Sequence, residues 1–439
     1  MIMPAIGPTD AARRLDMTTS EQIAPVSPQD FGAIADGASH PLSQRYETLD
    51  MAQAVYPFVT TLTDEIDWAA TQAAVNASRR VYVPLGTYVL NREVSGLANY
   101  TTVFGEGQGS RFVMTSATAN GFRFGTPSVE AVGVCFRNIT IDAIVDKSAG
   151  WAIHGQRWAR GRLENVFIGR PEDSAVPPRH FGGIFADSFD YITIYAGHIA
   201  AKNRSIALHT GAGFFIEGGT KITCANAANS FGVTVGGGAG GIYLGACDII
   251  DCGTGLYMSQ TYNTTTNREV FVSSLCSVDG ALNTGVFVEA GSVVHLDLTG
   301  TWIATSGKVN AAGAGINIGG PQPPGMILGM SGVRLFNNAG GAIVLNGGSG
   351  NISGCKIQQN GLGTGGGHGI HMVAPAVQDY VVSGNLIVNN GTTAKGYGIV
   401  VEAGVNSYAI TGNVVRANIQ GQILDQGASN KIVANNLTT

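Results

Sequence analysis

Residues 369–415 read GIHMVAPAVQDYVVSGNLIVNNGTTAKGYGIVVEAGVNSYAITGNVV, and the passage says one thing twice. A short alternating strand (GIHMV from Gly369, GIVVE from Gly398) leads through a polar turn to a second strand (SGNLI from Ser383, TGNVV from Thr411). The strand openings run back along the chain as AIVLN at Ala342, GINIG at Gly315, GVFVE at Gly285, GLYMS at Gly255, GVTVG at Gly232, SIALH at Ser205 and GIFAD at Gly183, at spacings of 22 to 30 residues. Each alternates apolar and variable positions, the period of a strand with one buried face. The second register carries Cys355, Asn385, Asn413 and Asn436 at its third position.

One such unit cannot bury its own apolar face, whereas stacked units form a continuous core. Short strands stacked coil on coil, with asparagine at a repeated corner, predict an all-β, single-stranded right-handed parallel β-helix (a solenoid) with an N-terminal capping helix. Corner asparagines tolerate left-handed backbone and can bond to the next rung. A leucine-rich repeat is excluded, because the LxxLxL spacing is absent and no coil has room for a helix.

Composition agrees. Sixty-three of 439 residues are glycine without a three-residue period, which excludes collagen. Charged residues make up 13%, and the net charge of −5 predicts no nucleic-acid partner. No apolar run reaches the roughly 18 residues of a membrane span. The six cysteines are too dispersed for a disulfide framework and read as buried thiols. The N-terminus lacks an apolar export-signal core, so localisation stays open.

Residues 1–26 read as a flexible leader, 27–115 as an entry and cap region with an inserted segment at 38–63, and 116–439 as the β-helix. The entry contains QDFGAIADG from Gln29, DEIDWAATQAAVNAS from Asp64, RVYVPLGTYVL from Arg80 and VFGEGQGSRFVM from Val103. Thr63 is a candidate cap for a helix whose side Ile66, Ala70, Ala73 and Ala77 would cover the open end of the solenoid. The inserted segment carries a short helical stretch at Leu49–Tyr56. DFGAxxDG, an acidic-start helix, VYVPxGxY and GxGxGS, in that order, resemble the N-terminal entry of the pectate-lyase-like β-helix superfamily. That group includes polygalacturonase-related proteins and phage tailspikes that degrade polysaccharides. The resemblance implies work on carbohydrate, and by analogy with tailspikes a homotrimer, without choosing among hydrolases, lyases, epimerases and binders.

Residues 151–210 hold two of the four tryptophans, four of the eight histidines and six arginines. Indole faces suit sugar rings, and guanidinium forks suit carboxylates. Trp158, His154, Arg160 and Arg179 are therefore the expected substrate-binding residues. With the second and fourth positions of each opening inward, the fifth points out, and His154, Asp187 and His209 are expected to stack on successive rungs. An aspartate between two histidines would favour their protonated forms. Asp187 and His209 are candidate acid–base residues, with Asp190 and Glu217 as candidate second carboxylates for a hydrolase. No metal or other cofactor is expected. The apolar exterior positions Ile249, Trp302, Leu386 and Val414 point to a wall buried between chains.

The leading expectation is an enzyme that cleaves an acidic extracellular or capsular polysaccharide by hydrolysis or elimination. The alternatives are a spike or adhesin that grips a glycan without cutting it, and a glycan epimerase or oligosaccharide-cyclising transferase.

Overall fold

The computed structural model describes residues 24–169, 177–225, 227–260, 268–322 and 325–438. Most of the expected leader, and residues 170–176, lie outside the described residues. Val26 already belongs to the fold, bridging Val81 and donating its N–H to Arg80 O at 3.0 Å.

Each coil has three strands. Phe231–Val235, Ala239–Leu244 and Cys247–Ile250 make one coil, and Thr254–Met258, Arg268–Val272 and Ser277–Asp279 make the next. Every strand pairs in parallel with its counterpart one coil on. Stacking begins at Arg80–Val83 against Thr102–Gly105, inside the stretch read as the entry. The chain is a right-handed parallel β-helix.

The inward positions explain its stability. On the first face Ile184, Ile206, Val233, Leu256, Val286, Ile316, Ile343, Ile370 and Ile399 lie one above another and are fully buried. Each contributes about 1.5–3 kcal/mol. Toward the base the core turns aromatic: Phe112, Phe122 and Phe136 follow one another at ring separations of 5.1 and 5.2 Å. The cysteines are free thiols, five buried and Cys135 half-buried.

Two corners are one-residue bends in left-handed conformation. Between the second and third faces the bend falls on Asn138, Asn165, Gly300, Gly332, Gly384 and Gly412, at φ between 51° and 66°. Past the third face it falls on Thr305, Asn337, Gln359, Asn389 and Ala417. The residue after each bend turns inward, and two amide ladders grow there. In the expected one, Asn385 Nδ2 donates to Asn413 Oδ1 at 2.9 Å, and Asn413 Nδ2 to Asn436 Oδ1 at 2.9 Å. A second ladder links Asn338, Asn360, Asn390 and Asn418 at 2.8, 3.0 and 3.0 Å. The left-handed conformation thus belongs to the preceding residue, not to the ladder asparagine.

The base is closed by the helix Ile66–Ala77. Thr63 is not its cap: Glu65 occupies that position, without a side-chain bond to the helix. Asp67 is buried and works between elements, accepting from Ile34 N (2.6 Å), Ala35 N (3.2 Å) and Val89 N (3.0 Å). Ile66 and Ala70 are buried as expected, Ala73 is half-buried, and Ala77 is exposed. The helix in the inserted segment spans Leu49–Val55. Among the described residues no helix is long and apolar enough to cross a membrane.

The expected apolar exterior needs one correction. Ile249 points inward and is buried, in register with Val278. Trp302 is 38% exposed, and it shares an outward column with Arg334, Lys356, Leu386 and Val414.

Candidate functional site

Strand register decides which side chains meet. Asp187 and His209 follow the in-register residues Ala186 and Leu208, so they occupy the same place on consecutive rungs. His209 Nδ1 lies 2.5 Å from Asp187 Oδ1, with both side chains partly exposed. A carboxylate accepting the Nδ1 proton fixes the tautomer and ring orientation and leaves proton exchange to Nε2.

His154 does not join that column. It pairs with Phe185 above and Arg123 below, because Ile153, and not Ala152, is the counterpart of inward Ile184. Its ring packs on Phe185 at a centroid distance of 4.8 Å. Burial pushes the His154 pKa below its ordinary value, Arg123 adds to that, and Asp187 opposes it. The expectation of a protonated His154 therefore fails. Its Nε2 is buried without a hydrogen-bond partner.

Trp158 is the largest departure. It is 1% exposed and belongs to the core, edge-on to Phe124 at 5.2 Å, with Nε1–H donating to Val134 O at 3.1 Å. Gly161 makes room for it: a Cβ there would come within 1.8 Å of the indole nitrogen. Trp158 is thus a packing residue, not a sugar platform. Trp158→Phe is expected to cost about 1–2 kcal/mol, from a smaller ring and the loss of the indole N–H bond to Val134 O, which keeps only the longer bond from Arg162 N. A lowered melting temperature with unchanged glycan affinity would show it.

The tryptophan on the wall is Trp151, half-buried and stacked on Phe185 at 5.0 Å. Gly182, its register partner one rung above, leaves room for the indole, which a Cβ there would approach to 2.2 Å. Below, Arg123 Nη2 donates to Gln156 Oε1 at 3.0 Å, and Arg123 Nη1 is 4.0 Å from Glu93. Glu93 and Arg123 also line an open cavity of about 640 Å³ with Asn99, Thr126 and Glu130. From that cavity the strip climbs through Arg123, His154 and Phe185 to Asp187 and His209. Arg123, Trp151 and Phe185 were absent from the expected set. The signal existed, because GFRFG at Gly121 is another alternating opening, one that precedes the repeats counted from Gly183.

The remaining candidates scatter. Asp190 and Arg160 are exposed and line a second depression, of about 520 Å³, with Arg162, Tyr191 and Thr193. Glu217 is on the second face, directly above Tyr195 and two rungs above Glu164, so the fold does not assemble it with Asp187 as a carboxylate pair. Arg179 bonds to the Ile144 carbonyl next to fully buried His180, on the stretch that returns from the third face to the first.

Aromatic ladders run up the outside of both the second and the first face. Phe215, Tyr243 and Phe271 stack at 4.9 and 5.1 Å with interplanar angles of 5° and 12°. Tyr257 and Phe287 stack at 5.7 Å and 2°. Ring planes therefore lie across the solenoid axis and cover one another.

The family model described as "Right handed beta helix region" matches residues 274–437. Solved structures extend the likeness to nearly the whole chain. The tailspike protein gp49 from Pseudomonas phage LKA1 is 15% identical with a TM-score of 0.57, over 93% of this chain and 81% of that one. The A-module of the Azotobacter vinelandii mannuronan C-5 epimerase AlgE4 is 13% identical with a TM-score of 0.53, over 94% and 100%. Tailspike protein 3 of bacteriophage CBA120 is 13% identical with a TM-score of 0.56, over 99% and 69%. No curated protein sequence matches the chain. At these identities the likeness is one of fold.

Proposed function

From a right-handed parallel β-helix with a carboxylate–imidazole pair on its side wall, we propose that this protein processes an acidic polysaccharide by moving a proton on a uronate ring. The Asp187–His209 pair carries the reading, at 2.5 Å on adjacent rungs. His209, oriented by Asp187, takes through Nε2 the acidic ring proton next to the carboxylate of the uronate seated against it. Arg123, three rungs below, holds the carboxylate of a uronate farther along the same polymer. Expulsion of the neighbouring glycosidic oxygen completes elimination, and return of a proton to the opposite face completes epimerisation. A hydrolase needs two carboxylates across the scissile bond, and the separation of Glu217 from Asp187 weighs against that chemistry.

Product analysis on polymannuronate and polygalacturonate tests this. Shortened chains with the ultraviolet absorbance of an unsaturated uronate mean elimination, and inverted uronates in chains of unchanged length mean epimerisation. Shortened chains with saturated ends would overturn proton abstraction in favour of hydrolysis. A second reading, a trimeric spike that holds a glycan without altering it, draws on the outward column of Trp302, Leu386 and Val414. Trimers in sedimentation, together with bound but chemically unchanged polymer, would favour it.

A further inference from the structure

Asp187 and His209 have a counterpart higher on the same wall. His371 Nε2 lies 2.8 Å from Glu402 Oε1, and Glu402 Oε2 accepts the Ala374 N–H at 3.3 Å. His371 stands in the outward column that contains His154 and Phe185, between Val344 and Val400. Glu402 follows Val401 as Asp187 follows Ala186, so it stands in the Asp187–His209 column. Each pair also has a second, desolvated imidazole on its lower side. That is His154 below and His368 above, the latter 5.1 Å from His371. His368 Nδ1 accepts the Tyr397 N–H at 3.2 Å, which leaves its proton on Nε2. Burial chiefly lowers the His368 pKa, to about 4, with His371 and Lys395 adding and Glu402 opposing. The ring is therefore neutral near pH 7 and keeps that donor.

Strand pairing counts seven rung steps from the coil of Asp187 to the coil of His371. At about 4.8 Å per step the two pairs stand roughly 34 Å apart on one straight strip. Half-buried Glu289, Asn317 and Asn346 occupy the same two columns between them, so hydrogen-bonding groups recur along the way.

We propose that His371, Glu402 and His368 form a second saccharide-binding station, which grips the hydroxyl and carboxylate groups of the same uronate polymer worked on at Asp187–His209. The inference rests on the acidic-polysaccharide reading above. The two stations act as linked sites: a chain long enough to reach both is held by both, and linkage of this kind raises apparent affinity by about 10²–10⁴. An oligosaccharide shorter than about 34 Å gains nothing from the upper station once seated at the lower one.

The test measures binding of fluorescein-labelled polymannuronate and polygalacturonate, and of their oligomers shorter than that span, to wild type, Glu402→Gln and His371→Ala. Both side chains are partly exposed, and Glu402→Gln keeps the shape of the side chain, so a folded variant is available. The expected result is polymer binding at least about tenfold weaker in both variants, with oligomer binding and oligomer turnover at Asp187–His209 unchanged. Equal polymer binding by wild type and both variants overturns the station and leaves the proposed function standing. Parallel weakening for polymer and oligomer also overturns it, because it signals a general structural change. Failure of folded wild type to bind either polymer removes the acidic-polysaccharide reading itself, and the station with it.

Discussion

Asp187→Asn is expected to lower turnover of a uronate polymer by about 10²–10⁴-fold, the contribution of a positioned acid–base group. Polymer binding should change only a few-fold. The reason is local. The Asp187 carboxylate accepts from His209 Nδ1 at 2.5 Å. An amide there can turn its NH₂ toward the ring, which favours the tautomer protonated at Nε2, the nitrogen that must receive the proton. Steady-state kinetics on the wild-type and variant proteins would separate the loss in kcat from any change in KM. Asp190→Asn and Glu217→Gln serve as controls. Asp190 lines the other depression and Glu217 is on the second face, so each should stay within about threefold of wild type. Full turnover by Asp187→Asn would remove the assignment and favour a protein that binds without chemistry.

Asn390→Ala is expected to destabilise the upper coils by about 4 kcal/mol. Asn390 is fully buried. Its Oδ1 accepts both the backbone N–H and the Nδ2 of Asn360, each at 3.0 Å. Its own Nδ2 donates to Ile357 O at 3.2 Å and to Asn418 Oδ1 at 3.0 Å. Alanine removes the acceptor and leaves the buried Asn360 N–H unpaired, at about 1–3 kcal/mol, while Asn360 Nδ2 keeps its bonds to Leu335 O and Gln358 O. The donations to Ile357 and Asn418 are lost as well, at about 1 kcal/mol each. A solenoid need not unfold in one step, because each coil contacts mainly its neighbours. Hydrogen exchange of the amides between Asn338 and Asn418 is therefore the appropriate measurement. Protection there should fall while the aromatic base keeps its own. Asn389→Gly next door makes an instructive contrast. Asn389 holds φ at 55° on an exposed corner, and glycine at that conformation should change stability by less than about 0.5 kcal/mol.

These two residues also show how far the sequence could be read. The stacked coils were legible because inward positions repeat every second residue, and the ladder through Asn385 and Asn413 announced itself in SGNLI and TGNVV. The ladder through Asn338, Asn360, Asn390 and Asn418 carried a comparable signal, with spacings of 22, 30 and 28 residues. It falls after the third strand, and an alignment anchored on the first strand does not expose it. His154 was misplaced because WAIHG has two adjacent buried residues, Ala152 and Ile153. Composition cannot say which of them is the counterpart of Ile184. Trp158 was misassigned for a different reason. Whether an indole points in or out depends on Gly161 and on the Val134 carbonyl one rung below, and that contact crosses 24 residues. The meeting of Asp187 and His209 was readable, since both close an opening of the same form.

The stacking of Phe215 on Tyr243 and of Tyr243 on Phe271 has a consequence for what the wall can attract. Rings that spend their electron-rich faces on one another turn their hydrogen-bearing rims to the solvent. An aromatic quadrupole is positive at that rim, so a passing polymer meets a gently electropositive ridge rather than flat hydrophobic plates. Such a ridge favours oxygen lone pairs and carboxylates over the C–H faces of neutral sugars. The ridge belongs to the second face, and Asp297, one rung beyond Phe271 in the same column, marks its upper limit.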